Sequence, residues 1–204
     1  MKTILCAAVI TALAGTAGAD PLIGNINAGA TTGLGTIITG SEGRSKAVGF
    51  TMGAQSLDLL NVQLRLDFDT APTPGGIAQV AIWGGASNPT SLLTTLSIVG
   101  PNAGVGIFDF VAGSTFTLDA NTTYWVMVNG APGNTAGFYW NVETPATTPT
   151  GDAAFVGYRF SASVTPPTAS SSVFNAFQVN VVPAPGAMAL LGLGGLAAAR
   201  RRRA

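Results

Sequence analysis

A chain of 204 residues with 47% apolar and only 9% charged side chains can bury a core of its own, and this balance excludes an intrinsically disordered protein. The zero net charge divides unevenly: Lys2 and four arginines near the C-terminus hold five of the nine basic residues, leaving residues 20–182 with four bases against nine acids, a formal −5. That sign excludes a nucleic-acid binder, which needs a basic face to displace counterions from phosphate.

Residues 1–19 have the three parts of a secretory signal peptide. Lys2 is the positive start, 4–14 an apolar run too short to span a bilayer, and Ala17-Gly18-Ala19 a small-x-small cleavage site. Signal peptidase would leave Asp20 as the mature N-terminus. The single cysteine, Cys6, lies inside the apolar run, and Thr3-Ile4-Leu5 before it does not form a lipobox. The mature chain therefore has no thiol and no disulfide framework.

The middle of the chain reads as strands. Segments 35–38 and 47–52 come first. The clearest is 57–69, where Leu60, Val62, Leu64, Leu66 and Phe68 alternate with Asn61, Gln63, Arg65, Asp67 and Asp69. Strict period-two alternation marks a strand with one face on a core and one in water. After the Gly/Pro break at 72–76, strands are expected at 78–83, 92–99, 106–110, 115–118, 124–128, 138–142, 153–160 and 174–181. Short strands at this spacing, with turn residues between them, predict an all-β domain over 20–181. The expected form is an antiparallel β-sandwich, jelly-roll-like, with a signal helix before it and an apolar helix after it. Segments 144–152 and 165–172 are Pro/Thr/Ser-rich loops. No internal repeat supports a solenoid or propeller.

Candidate chemistry is sparse. There is no histidine, which with the loss of Cys6 removes Ser-His-Asp and Cys-His triads and the usual zinc sites. Asp67 and Asp69 share one strand face and could flank a glycosidic bond or hold a hard cation; as ordinary wet strand surface they need no such role. Asp119 and Asn121 could bind calcium in a loop, and Asn121-Thr122-Thr123 is formally a glycosylation sequon. Trp83, Trp125 and Tyr139 fall on the alternation opposite their apolar neighbours, either as a sugar-stacking platform or as a second part of the core. No catalytic residue, metal ligand or cofactor is assigned.

The run Leu118-Asp119-Ala120-Asn121-Thr122-Thr123-Tyr124-Trp125-Val126, with Val80-Ala81-Ile82-Trp83 and Leu92-Leu93-Thr94-Thr95-Leu96 before it, resembles the choice-of-anchor R domains. The resemblance covers about residues 25–165. It implies an extracellular β-domain placed upstream of a surface-anchoring signal, and no catalytic residues.

The C-terminal segment 182–204 is the most informative. Pro183-Ala184-Pro185-Gly186 is followed by a Gly/Leu/Ala run ending at Ala199, then Arg200, Arg201, Arg202, Arg203 and Ala204. The uncharged stretch 184–199 would reach about 24 Å as a helix, short of the roughly 30 Å hydrocarbon core. Snorkelling arginines and local bilayer thinning would permit a strained transmembrane helix, with the arginines cytoplasmic and the domain outside. Pro-x-Pro, apolar helix and terminal arginine cluster together resemble the PEP-CTERM sorting signal of Gram-negative bacteria. In that family an exosortase, a membrane transpeptidase-like enzyme, recognises the proline motif and removes the tail, often in cells that make exopolysaccharide. Pro183 and Pro185 match the two prolines, Gly186 follows as in the family, and Arg200, Arg201, Arg202 and Arg203 match the basic stop; Ala184 stands where the family usually carries Glu.

These readings predict an exported, non-catalytic cell-surface or matrix protein. Its precursor would sit at the inner membrane, and its mature form on the surface or outside the cell. One alternative is a module that binds exopolysaccharide through Trp83, Trp125 and Tyr139; another is a glycoside hydrolase using Asp67 and Asp69. Persistence of the tail as a permanent anchor is the alternative to its removal.

Overall fold

The computed structural model describes residues 20–27, 31–40, 44–163 and 165–183. The signal segment 1–19, and with it Ala17 and Ala19, lies outside the described residues, as does the tail from Ala184 onward. The two flanking helices and the transmembrane segment expected from the sequence therefore fall outside what is described. Among the described residues no helix is long and apolar enough to cross a membrane.

The described chain is all-β and antiparallel. Its strands are β1 Asp20–Gly24, β2 Thr31–Thr39, β3 Ser45–Thr51, β4 Leu57–Asp67, β5 Ala78–Gly84, β6 Ser91–Ile98 and β7 Val105–Ala112, then β8 Thr117–Leu118, β9 Thr123–Gly130, β10 Gly137–Thr144, β11 Thr150–Gly151, β12 Ala154–Ser161, β13 Ala169–Ser171 and β14 Phe177–Pro183. Each of the eleven segments expected from sequence overlaps a strand, 115–118 and 174–181 least completely; β1 is additional, and β11 and β13 lie within the segments 144–152 and 165–172 expected as loops. Pairing follows the order β11-β1-β14-β4-β7-β6-β5-β9-β3-β12-β13, while β10 joins β2 to the end of β4 and β8 pairs with β4.

The sheet curls. Strands β14 and β12 stand seven places apart in that order, a separation of about 33 Å if the sheet were flat. Yet the rings of Phe177 on β14 and Tyr158 on β12 are 6.3 Å apart, edge to face. The cause is one apolar face shared around the curl. Ile23, Val179, Val62, Phe110, Leu96, Val80, Val126, Val48 and Tyr158 come from nine successive strands and belong to a single buried cluster.

The alternation in β4 shifts once. Asn61 pairs with Asn180, but the next residue of β14, Val181, pairs with Leu59. Leu60 is thus an extra residue, a β-bulge, and it turns outward to 41% exposure while Leu59 takes the buried place. The period-two reading put Leu60 inward; the bulge reverses the phase at that end of the strand.

Candidate functional site

The two ends of the described domain lie side by side. β1 begins at Asp20, the expected mature N-terminus, and Asp20 pairs with Val181 of β14. β14 runs between β1 and β4 and ends at Pro183, opposite Leu57. The first proline of the sorting motif is therefore the last paired residue of an interior strand, with no stalk between domain and motif. An enzyme cutting at the motif would work directly against the folded sheet.

The aspartate pair has different work. Asp67 is only 4% exposed. Its carboxylate accepts hydrogen bonds from the backbone N–H groups of Asp69 and Thr70, both at 2.9 Å, and from the Thr70 hydroxyl. Burial pushes its pKa upward, but the bonds from Thr70 and Asp69 outweigh it and hold the carboxyl below its ordinary value. Asp69 lies beyond the end of β4 and accepts from the N–H of Gly104 at 3.0 Å. The pair caps two loops and does not stand on one wet strand face as the sequence suggested. Asp119 and Asn121 sit in the reversal between β8 and β9. There Asn121 takes the left-handed φ of 56° and its N–H donates to Gly53 O, while the Asp119 N–H donates to the Tyr124 hydroxyl. Burial raises the Tyr124 pKa, and the charge of Asp119 adds to it.

The aromatic set divides. Trp83 pairs with Trp125 across β5 and β9, on the outer face of the sheet, whereas Tyr139 lies on β10 opposite Ile37 and Asp67. Trp125 is 0% exposed. It packs with Ala47 and Met127 in a small cluster of its own, against Trp83 and Val156. Its ring lies over Gly49, where an added Cβ would come within 2.7 Å of it. The Arg159 guanidinium sits 5.3 Å from the ring centre, and the indole N–H donates to Gly85 O at 2.7 Å. Trp125 thus has no free face for a sugar. Trp83 is half-buried and lines an open groove of about 360 Å³ beside Leu92, Thr95 and Gln79.

A buried polar knot around Asn175 was not foreseen. Asn175 is 0% exposed; its side chain accepts from the Thr36 hydroxyl at 3.2 Å and donates to Trp140 O, and its backbone carbonyl accepts from the Tyr158 hydroxyl and from Asn25. Lys46, also 0% exposed, donates to the Thr36 hydroxyl at 3.0 Å and to Val173 O at 2.8 Å, and stands 5.3 Å over the Tyr158 ring. No carboxylate is among these partners, and burial lowers the Lys46 pKa to about 7. Burial also pushes the Tyr158 phenol well up, only partly offset by its hydrogen bonding with Asn25. The knot ties the segment before β14 to Asn25, just after β1, and to β2, β3, β10 and β12.

Residues 181–203 match the PEP-CTERM protein-sorting motif. No curated protein matches the chain. The PEP-CTERM match begins at Val181, inside β14, and takes in Pro183, Pro185 and the arginine cluster. It implies an exported protein that is anchored at the membrane before an exosortase processes it.

Proposed function

We propose that this chain is a non-catalytic cell-surface or matrix protein whose β-domain is delivered by two removable end segments. Signal peptidase acts after Ala19; the tail 182–204 then holds the precursor in the inner membrane; an exosortase cuts at Pro183-Ala184-Pro185 and frees the domain to the surface or the medium. The single observation that carries the reading is the PEP-CTERM match over 181–203. The pairing of Asp20 with Val181 supports it, because both cuts then fall at the same end of two neighbouring strands and leave the rest of the fold untouched.

The finer assignments belong to the same proposal. The central domain is a jelly-roll-like sandwich of choice-of-anchor R type, and one domain spans 20–181. The inward curl of the sheet and the run Leu118 to Trp125 support that assignment.

The test is a Pro185→Ala variant expressed in the native host, with fractionation of membrane, surface and medium. The reading expects the variant to accumulate at full precursor length in the membrane fraction while the wild type leaves it. Equal release of both at equal size would overturn the exosortase step.

A further inference from the structure

The outer face of β5, β6 and β9 carries an open trough. Its floor is Ala81, flanked by Thr95 on β6 and Met127 on β9 in the same cross-sheet row. Trp83 and Leu92, paired with one another, close one end, and Leu92 is 52% exposed. Gln79 and Asn129, also paired, stand at the other end beside Ser97. A small residue between larger ones opens the depression, and the neighbouring Trp125 cluster fixes the Trp83 indole from behind.

We propose that this groove binds a neutral polysaccharide, one sugar ring stacking on Trp83 and its hydroxyls meeting Gln79, Thr95, Ser97 and Asn129. Four observations choose that occupant. First, none of the residues lining the groove is charged, so an acidic polymer finds no cation and a basic peptide no anion. Second, the lining alternates an apolar surface with amide and hydroxyl groups, the complement of a pyranose with its apolar faces and polar rim. Third, Asn129 lines the groove, and its Oδ1 has no hydrogen-bond partner among the described residues, an acceptor that is costly to leave unpaired. Fourth, β5 is paired on both sides, with β6 and β9, so a peptide could not add to the sheet here by backbone bonding. The amide-rich face on β14 and β4 offers a contrast: Gln178, Asn180, Asn61 and Gln63 bond to one another and to Asp109, so their groups are already engaged.

The groove lies on β5, β6 and β9 and not on β14, whose last residue is Pro183, so this inference stands or falls independently of tail processing. The assay uses the protein recovered from cells, run in native gels cast with single soluble polysaccharides: hydroxyethyl cellulose, galactomannan, dextran and xyloglucan as neutral probes, alginate as an acidic one. Retardation by at least one neutral probe is expected, with affinity falling about ten-fold in Trp83→Ala. Gln79→Ala, at an exposed position, and Ala81→Leu, which fills the floor, should each weaken it, and Tyr139→Ala should leave it unchanged. Should Trp83→Ala fold poorly, Gln79→Ala and Ala81→Leu decide. No retardation by any neutral probe, retardation by alginate alone, or retardation that survives Gln79→Ala and Ala81→Leu would each overturn the proposal.

Discussion

Trp140 and Trp125 are both completely buried, and each donates its indole N–H to a backbone carbonyl, Ala176 O at 2.9 Å and Gly85 O at 2.7 Å. They nevertheless belong to opposite faces of the sheet. Trp140 sits in the main core, edge to face with Tyr158 at 6.3 Å, beside the Asn175 knot. Trp125 points the other way, into a small cluster with Ala47 and Met127, where Gly49 leaves room beneath it and Arg159 lies over it. The inner burial is a consequence of the curl and is shared by twelve of the strands. The outer burial is local, made by Ala47, Met127, Trp83 and Val156 around the ring, with Gly49, Arg159 and a loop carbonyl. Arg159 is itself held by Ser87 O at 3.1 Å, Asn88 Oδ1 at 2.8 Å and Tyr158 O at 3.1 Å, so the cover is anchored to both the β5–β6 loop and β12.

The comparison can be broken most severely on the inner side. Trp140→Ala should cost about 3–5 kcal/mol, through lost burial and an unfilled cavity, and urea denaturation would measure it. Asn175→Ala should cost about 2–3 kcal/mol by the same assay, because it removes the acceptor of the Thr36 hydroxyl proton and the side-chain donor to Trp140 O. On the outer side Gly49→Ala forces a Cβ against the Trp125 ring and should cost about 1–2 kcal/mol.

Lys46 sharpens the contrast through pH. Its native pKa of about 7 lies below the ordinary 10.5, so between those values the unfolded chain binds a proton that the native state does not. Stability should therefore rise with pH across that window, by up to about 1.4 kcal/mol per unit, and the penalty is fully present below pH 7. Lys46→Met should abolish this slope in denaturation curves taken from pH 7 to 9. The smallest effect belongs to Arg159→Ala, about 0.5–1 kcal/mol, accompanied by increased acrylamide quenching of tryptophan emission as Trp125 is uncovered.

Legibility in the sequence followed the range of the forces. The strand with a period-two pattern, β4, was readable because alternation is a property of adjacent residues. The phase error at Leu60 arose because a bulge is fixed by the partner strand, here β14, and leaves no mark in β4 itself. β1 was hidden because Asp20–Gly24 is short and carries a proline; its strand character comes from pairing with β14, distant in the chain. Lys46 and Asn175 read as two ordinary polar residues, since their knot draws on segments more than a hundred residues apart. Alternation set Trp83, Trp125 and Tyr139 opposite their apolar neighbours, but it could not say that Trp125 would be buried in a cluster of its own while Trp83 lined a groove. The sorting tail, by contrast, was legible outright, because a signal that an enzyme reads must be written in consecutive residues.

The central claim is that the domain is delivered by removing both ends, and the intact mass of the protein recovered from the cell surface or medium tests it most directly. The account predicts a chain that starts at Asp20 and ends within the Pro183-Ala184-Pro185 motif, with or without an added group. A mass that still contains Arg200, Arg201, Arg202 and Arg203 would mean that the tail persists as an anchor, and would contradict it.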